Sequence, residues 1–161
     1  MIIVYHGGTE KIETPISKFG RRNLDFGQGF YLTPLREQAL AWANYMARSR
    51  KQAAILNRYR LDREALLQNA RCKVFEAYDE EWLEFIVGNR LGLNSAEAYD
   101  YVEGGVANDR VIDTINLYLA GLIDLSAALR ELSKHQPNQQ ICILKQELLD
   151  KYLTYEGTEL I

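Results

Sequence analysis

Cysteine and histidine are scarce in this chain, with two of each among 161 residues. Cys72 and Cys142 are too few and too far apart for a disulfide framework, and with His6 and His135 they make no zinc-binding spacing. They read as reduced core residues, and no metal site is expected. Long apolar runs are missing too, since no stretch approaches the roughly 20 residues needed to cross a bilayer. The opening run is short, lacks a basic leader and passes straight into a histidine, so it does not read as a signal peptide. A cytoplasmic protein with no membrane partner is the expectation.

Excess charge of either sign is lacking as well. A formal net charge of -3 and a pI near 5.5 give no global attraction to phosphate backbones or anionic lipid. The densest basic stretch, Arg48, Arg50 and Lys51 with Arg58 and Arg60, reads as a solvated face. Several nucleotide motifs fail their context. "DFG" at Asp25 to Gly27 has no kinase loop or strand lysine around it. "GQG" lacks the third glycine and trailing helix of a dinucleotide fingerprint, and no phosphate loop with Gly-Lys-Ser/Thr occurs. Conventional kinase, hydride-transfer and nucleoside-triphosphatase chemistry is therefore not expected.

What is present suits one core. The 47% hydrophobic content, without repeats or long linkers, predicts a single domain over residues 1–161. Ile2 to Tyr5 and Gly29 to Leu32 read as strands, with the loop-rich "ETPISKFGRRNLDFGQG" between them. Leu35, Ala39, Trp42, Ala43 and Met46 recur at helical spacing from Pro34 to about Arg50. Ala54 to Leu61 and Cys72 to Ala77 resemble two more strands. A helix follows in "DEEWLEFIVGNRLG", and two others span Val111 to Ala120 and Ser126 to Ser133, the latter with Ser126 as its N-cap. Gly104-Gly105 reads as a turn. "QQICIL" is a strand, "KQELLDKY" a short helix and "YLTYEGTELI" a closing strand. The order is mixed α+β.

Within this layout "VYHGGT" at residues 4–9 stands out, because glycines let a ligand approach backbone and a histidine beside them offers a directional hydrogen bond. His6, Tyr31 and Gln140 are the polar residues that strand ends can bring to one cleft. "VYHGGT", then "RNLDFGQGFYLT", then "EQALAWANY" resemble the opening of the histidine-tyrosine-glutamate class of ADP-ribosyltransferases. The whole chain also resembles an uncharacterised bacterial family with the same arrangement, including "YDYVEGGVANDR" and "NQQICIL". The resemblance implies an ADP-ribosyltransferase-like split β-sheet core with intervening helices, and NAD as substrate.

On that resemblance, His6 hydrogen-bonds the adenosine-side ribose of NAD, and Gly7, Gly8 and Thr9 form the strand end where backbone groups meet nicotinamide. Tyr31 stacks on the nicotinamide ring, and Trp42 or Tyr45 closes its other face. Arg21 or Arg22 reaches the pyrophosphate, and Asp25 orients ribose or supports its turn. The class carries a glutamate just before the late apolar strand, where this chain has Gln140, or Gln139 if the alignment shifts by one. An amide accepts a hydrogen bond but brings no formal charge. Glu103 and Asp109 are the acids to inspect as substitutes. The resulting expectation is a mono-ADP-ribosyltransferase-like protein modifying a macromolecule, as the toxin of a toxin-antitoxin pair with a small antitoxin. The alternative is a catalytically silent NAD-binding or protein-interaction module.

Overall fold

The computed structural model describes residues 1–135 and 138–161. Strand β1 (Ile2–Gly8) is followed by β2 (Phe30–Leu32), helix α1 (Arg36–Arg50), β3 (Ile55–Leu61), α2 (Arg63–Asn69) and β4 (Cys72–Val74). Next come α3 (Glu80–Arg90), β5 (Tyr101–Gly104), α4 (Asp109–Leu119), α5 (Leu125–Leu132), β6 (Gln140–Ile143), α6 (Gln146–Tyr152) and β7 (Leu153–Leu160). The fold is mixed α+β, with six helices and two sheets among the described residues.

One sheet is antiparallel in the order β1-β3-β7, and the other runs β2-β6-β5-β4, with only β4 and β5 parallel. A single bridge, Tyr5 to Thr33, joins β1 to the residue that follows β2. Val4, Tyr59 and Leu61 of the first sheet pack against Phe30, Leu32, Ile141 and Ile143 of the second, and α6 closes this core with Leu148, Leu149 and Tyr152. The second sheet's other face carries Val102 and Cys142, covered by Trp82, Leu83 and Ile86 of α3 and by Val111 and Ile115 of α4. Each large apolar side chain so buried contributes about 1.5–3 kcal/mol.

Short polar caps start four of the helices. The carboxylates of Asp62, Asp79 and Asp124 and the amide oxygen of Asn108 accept from backbone N–H groups three residues on, at α2, α3, α5 and α4 respectively. Asp124 thus caps α5, not Ser126, because the helix begins at Leu125. Three further readings are corrected. Strand β1 runs through His6 to Gly8, paired along its length with β3. The fourth strand ends at Val74, not Ala77. Gly104 ends the buried strand β5 opposite Gln140 instead of making a turn. Among the described residues no helix is long and apolar enough to cross a membrane.

Candidate functional site

The two sheets part beside the Tyr5–Thr33 bridge, and the site is built where they do. Tyr5 donates its N–H to the Thr33 carbonyl at 2.8 Å and accepts the Thr33 N–H at 3.0 Å. Backbone groups in an antiparallel strand face alternate sides, so those of Gly7, two residues on, also point away from β3 towards β2. There the ladder does not continue, and neither group has a partner among the described residues. His6 fills part of the gap: its Nδ1 lies 2.8 Å from the Tyr31 carbonyl oxygen and its ring stacks on Phe30 at 4.6 Å.

A carbonyl only accepts, so Nδ1 carries the proton and, in the neutral ring, Nε2 is left as an acceptor. Burial pulls the His6 pKa below its ordinary value of 6.5, and the Tyr31 carbonyl opposes that only partly. The imidazole is therefore neutral at pH 7. This has a measurable consequence. Above about pH 6.5 folded and unfolded chains both carry a neutral ring, but below it the unfolded chain takes up a proton that the fold resists. Stability is expected to fall as pH drops from about 6.5 towards the lowered value, and His6→Gln should flatten that limb in denaturation measured between pH 7.5 and 5.

Tyr31 lies opposite Cys142 on β6, so the two side chains share a face of the second sheet, and Gln140, two residues before Cys142, shares it too. The ladder places His6 on the opposite face, beside the inter-sheet core, so it meets Tyr31 through that residue's backbone. The Tyr31 hydroxyl donates to the Gly27 carbonyl at 2.6 Å and accepts from the Phe26 N–H at 3.1 Å. Burial raises its pKa, keeping it neutral. Gly27 and Gly29, on the N-terminal side of Tyr31, are both buried, so they open no cleft beside its ring.

Gln139 and Gln140 separate in role. The Gln139 side-chain amide donates to Glu103 at 3.1 Å, while the Gln139 backbone carbonyl accepts from Thr33 Oγ1 at 2.7 Å and Gln38 Nε2 at 3.2 Å. Gln38 Oε1 is sealed from solvent without a partner among the described residues. Glu103, 3% exposed, also accepts from Arg63 Nε at 2.8 Å and the Tyr101 hydroxyl at 2.5 Å. It opposes Ile141, on the face away from Tyr31 and Gln140, and is committed to its own partners. Asp109 is an exposed acid in the first turn of α4. Neither acid stands beside Gln140.

Gly7 lies against α1, where a β-carbon would come within 2.0 Å of the Ala39 carbonyl oxygen. The space a side chain would take is therefore filled by the helix, not by an approaching ligand. Gly8 is open, with only the His6 ring within 4 Å of the corresponding position. Trp42 and Tyr45 are 47% and 62% exposed and stack on each other at 5.3 Å on the outside of α1. Arg21 and Arg22 are exposed, and Asp25 pairs with Arg90 at 2.7 Å, supporting its loop. Thr9 receives a hydrogen bond from Arg50 Nη1 at 3.1 Å. Arg50 is exposed, in keeping with the solvated basic face expected of it, and it lies eleven residues after Ala39, on the same helical stripe.

Two open depressions lie away from this gap, one lined by Leu117, Ile123 and Ala127, the other by Met1, Ile2 and Arg63. No group of three or more His, Cys, Asp or Glu side chains among the described residues is placed to hold a metal ion. Residues 2–155 match a family described as "Protein of unknown function (DUF3990)". No curated protein and no solved structure matches the chain significantly.

Proposed function

The chain belongs to this family of proteins of unknown function, DUF3990, and we propose that it binds NAD at the gap between β1 and β2 and acts as a mono-ADP-ribosyltransferase-like protein. The observation that carries the reading is the free backbone pair of Gly7 beside a neutral His6. A primary carboxamide such as that of nicotinamide accepts from one such N–H and donates to one such C=O, making two bonds at once. His6 Nε2 then accepts from a ribose hydroxyl, while Tyr31, whose ring lies on the other face of the second sheet, supplies the backbone carbonyl that fixes the His6 tautomer. A sheet divided beside a single bridge also suits the ADP-ribosyltransferase-like core expected from the sequence.

In the reaction the bond between nicotinamide and ribose C1′ breaks, and its electron pair leaves with nicotinamide, which becomes neutral. A lone pair on a protein or nucleic-acid acceptor forms the new bond to C1′, and the acceptor's proton passes to solvent. The same reading carries a small antitoxin protein as partner and the cytoplasm as the place of action. A second reading, NAD binding without transfer, is favoured by one observation: Gln140 is uncharged, and Glu103 is held on the opposite face.

Thermal unfolding with NAD tests both, since a ligand bound only by the fold raises Tm. Millimolar NAD is expected to raise the Tm of the wild type and to leave that of His6→Ala unchanged; no rise in the wild type removes both readings. Transfer of label from NAD to lysate macromolecules, lost in Tyr31→Ala, separates transfer from silent binding.

A further inference from the structure

We propose that one flank of α1 docks single-stranded nucleic acid, through the stacked rings of Trp42 and Tyr45 and the cationic end of the helix. In naming the acceptor of the transfer this rests on the NAD reading above, whereas the docking itself requires no NAD. Two contacts identify the flanks of α1. Arg36 reaches Glu159 on β7 at 2.6 Å on one side, and Gln38 reaches the Gln139 backbone carbonyl, just before β6, at 3.2 Å on the other. Trp42 follows Gln38 by four residues and Tyr45 by seven, so both fall on the Gln38 flank, the one turned towards the second sheet. The turn from Ala39 to Ala43 that rests on Gly7 also carries Trp42. Trp42 is therefore level with Gly7, on the flank that meets the segment leading into Gln140.

The chemistry of the flank suits unstacked bases on a phosphate chain. Trp42 and Tyr45 stack at 5.3 Å, yet they remain 47% and 62% exposed, so aromatic surface is left in solvent. Any base stacks on such a surface once it is out of a duplex. Arg48 lies one turn beyond Tyr45 and Lys51 caps the helix; neither has a carboxylate within 4 Å among the described residues. Glu37 is the one acid of α1, and it sits at the other end beside Arg36. The stretch from Trp42 to Lys51 is thus a local positive patch with aromatic rings in it, on a chain whose net charge supplies no attraction to phosphate. A polypeptide partner fits less well. The exposed neighbours of the rings are Ala41, Asn44, Arg48 and Ser49, with no large aliphatic side chain to build the packed surround of a protein interface.

The test uses the intact chain without NAD and a short single-stranded DNA oligonucleotide of mixed sequence, with its duplex for comparison. Of the two tryptophans, Trp82 is fully buried, so quenching of tryptophan emission reports on Trp42. The single strand is expected to quench it and the duplex to leave it unchanged. By polarisation of a labelled oligonucleotide, Trp42→Ala and Tyr45→Ala should each weaken binding about tenfold with the Tm unchanged. Arg48→Gln should lower the slope of log K against log salt by about 0.7. Phe19→Ala removes an equally exposed aromatic away from α1 and should bind as the wild type does. No binding of the single strand, equal affinity for the duplex, or a loss in Phe19→Ala matching that in Tyr45→Ala overturns the docking site. Label passing from NAD to polypeptides while the oligonucleotide stays unbound makes the acceptor a protein and overturns it too. Failure of the NAD reading shows separately, as a wild type whose Tm does not respond to NAD.

Discussion

Gln140→Glu is expected to raise the rate at which NAD releases nicotinamide by on the order of a hundredfold. Breaking the bond to C1′ builds positive charge on the ribose, and a carboxylate beside that sugar stabilises the charge where an amide offers only its dipole. Position 140 is suited to the change. It is half-buried on the face that carries Tyr31, at the start of β6 and opposite Gly104, and glutamate nearly matches glutamine in shape. No nearby acid already fills the role, because Glu103 lies on the other face under Arg63, Tyr101 and Gln139. The rate is read as nicotinamide released at saturating NAD, with affinity measured alongside. An unchanged rate in a variant that still binds NAD would show that residue 140 does not face C1′, and the transfer reading would lose its chemistry.

The sequence disclosed those elements whose burial alternates. In β3 the side chains of Arg58 and Arg60 are exposed while Asn57, Tyr59 and Leu61 are buried, and that two-residue period is visible without coordinates. Strand β5 shows no such period, because Tyr101 to Gly104 are all buried, and a glutamate beside two glycines reads as a loop. Its glutamate is tolerated through Arg63 and Gln139, partners about forty residues away in either direction along the chain and so invisible to any local pattern. Helix α2 has seven residues, too few for periodicity to declare itself, leaving only the Asp62 cap as a signal.

The candidate site divides along the same line. His6, Tyr31 and Gln140 were singled out by a strand-glycine pattern and a family resemblance, and the fold brings their strands together. Which faces they occupy came only from register, since moving one residue along a strand moves a side chain to the opposite side of the sheet. Trp42 and Tyr45 show a further limit. Helical spacing put Trp42 on an inward stripe with Ala39 and Ala43, yet the stripe that meets β1 is narrow, and both aromatics stand outside it.

That narrow contact underlies the largest stability effect expected here. Gly7→Ala should cost about 3 kcal/mol or more, a fall in Tm on the order of 10 °C for a chain of this size. Neither Gly7 nor Gly8 has positive φ, so alanine is admissible to the backbone at both positions, and space alone decides between them. At Gly7 the added carbon would stand 2.0 Å from the Ala39 carbonyl oxygen and 3.0 Å from the Ala43 nitrogen. Those are backbone atoms of α1, which can yield only if the helix moves away from the strand. Gly8→Ala meets nothing closer than His6 Nε2 at 3.6 Å, an ordinary contact, so its Tm should stay near that of the wild type. Its methyl group would nevertheless stand beside His6 Nε2, the acceptor on which the NAD reading depends, and NAD affinity should fall. Thermal unfolding of the two variants with and without NAD reads both effects. A Gly7→Ala protein with wild-type Tm would mean that α1 does not press on β1 as described, while a Gly8→Ala protein with undiminished NAD affinity would move the ligand off this strand. Adjacent glycines thus carry separate duties: one lets the helix close on the strand, and the other leaves open the space beside the His6 ring.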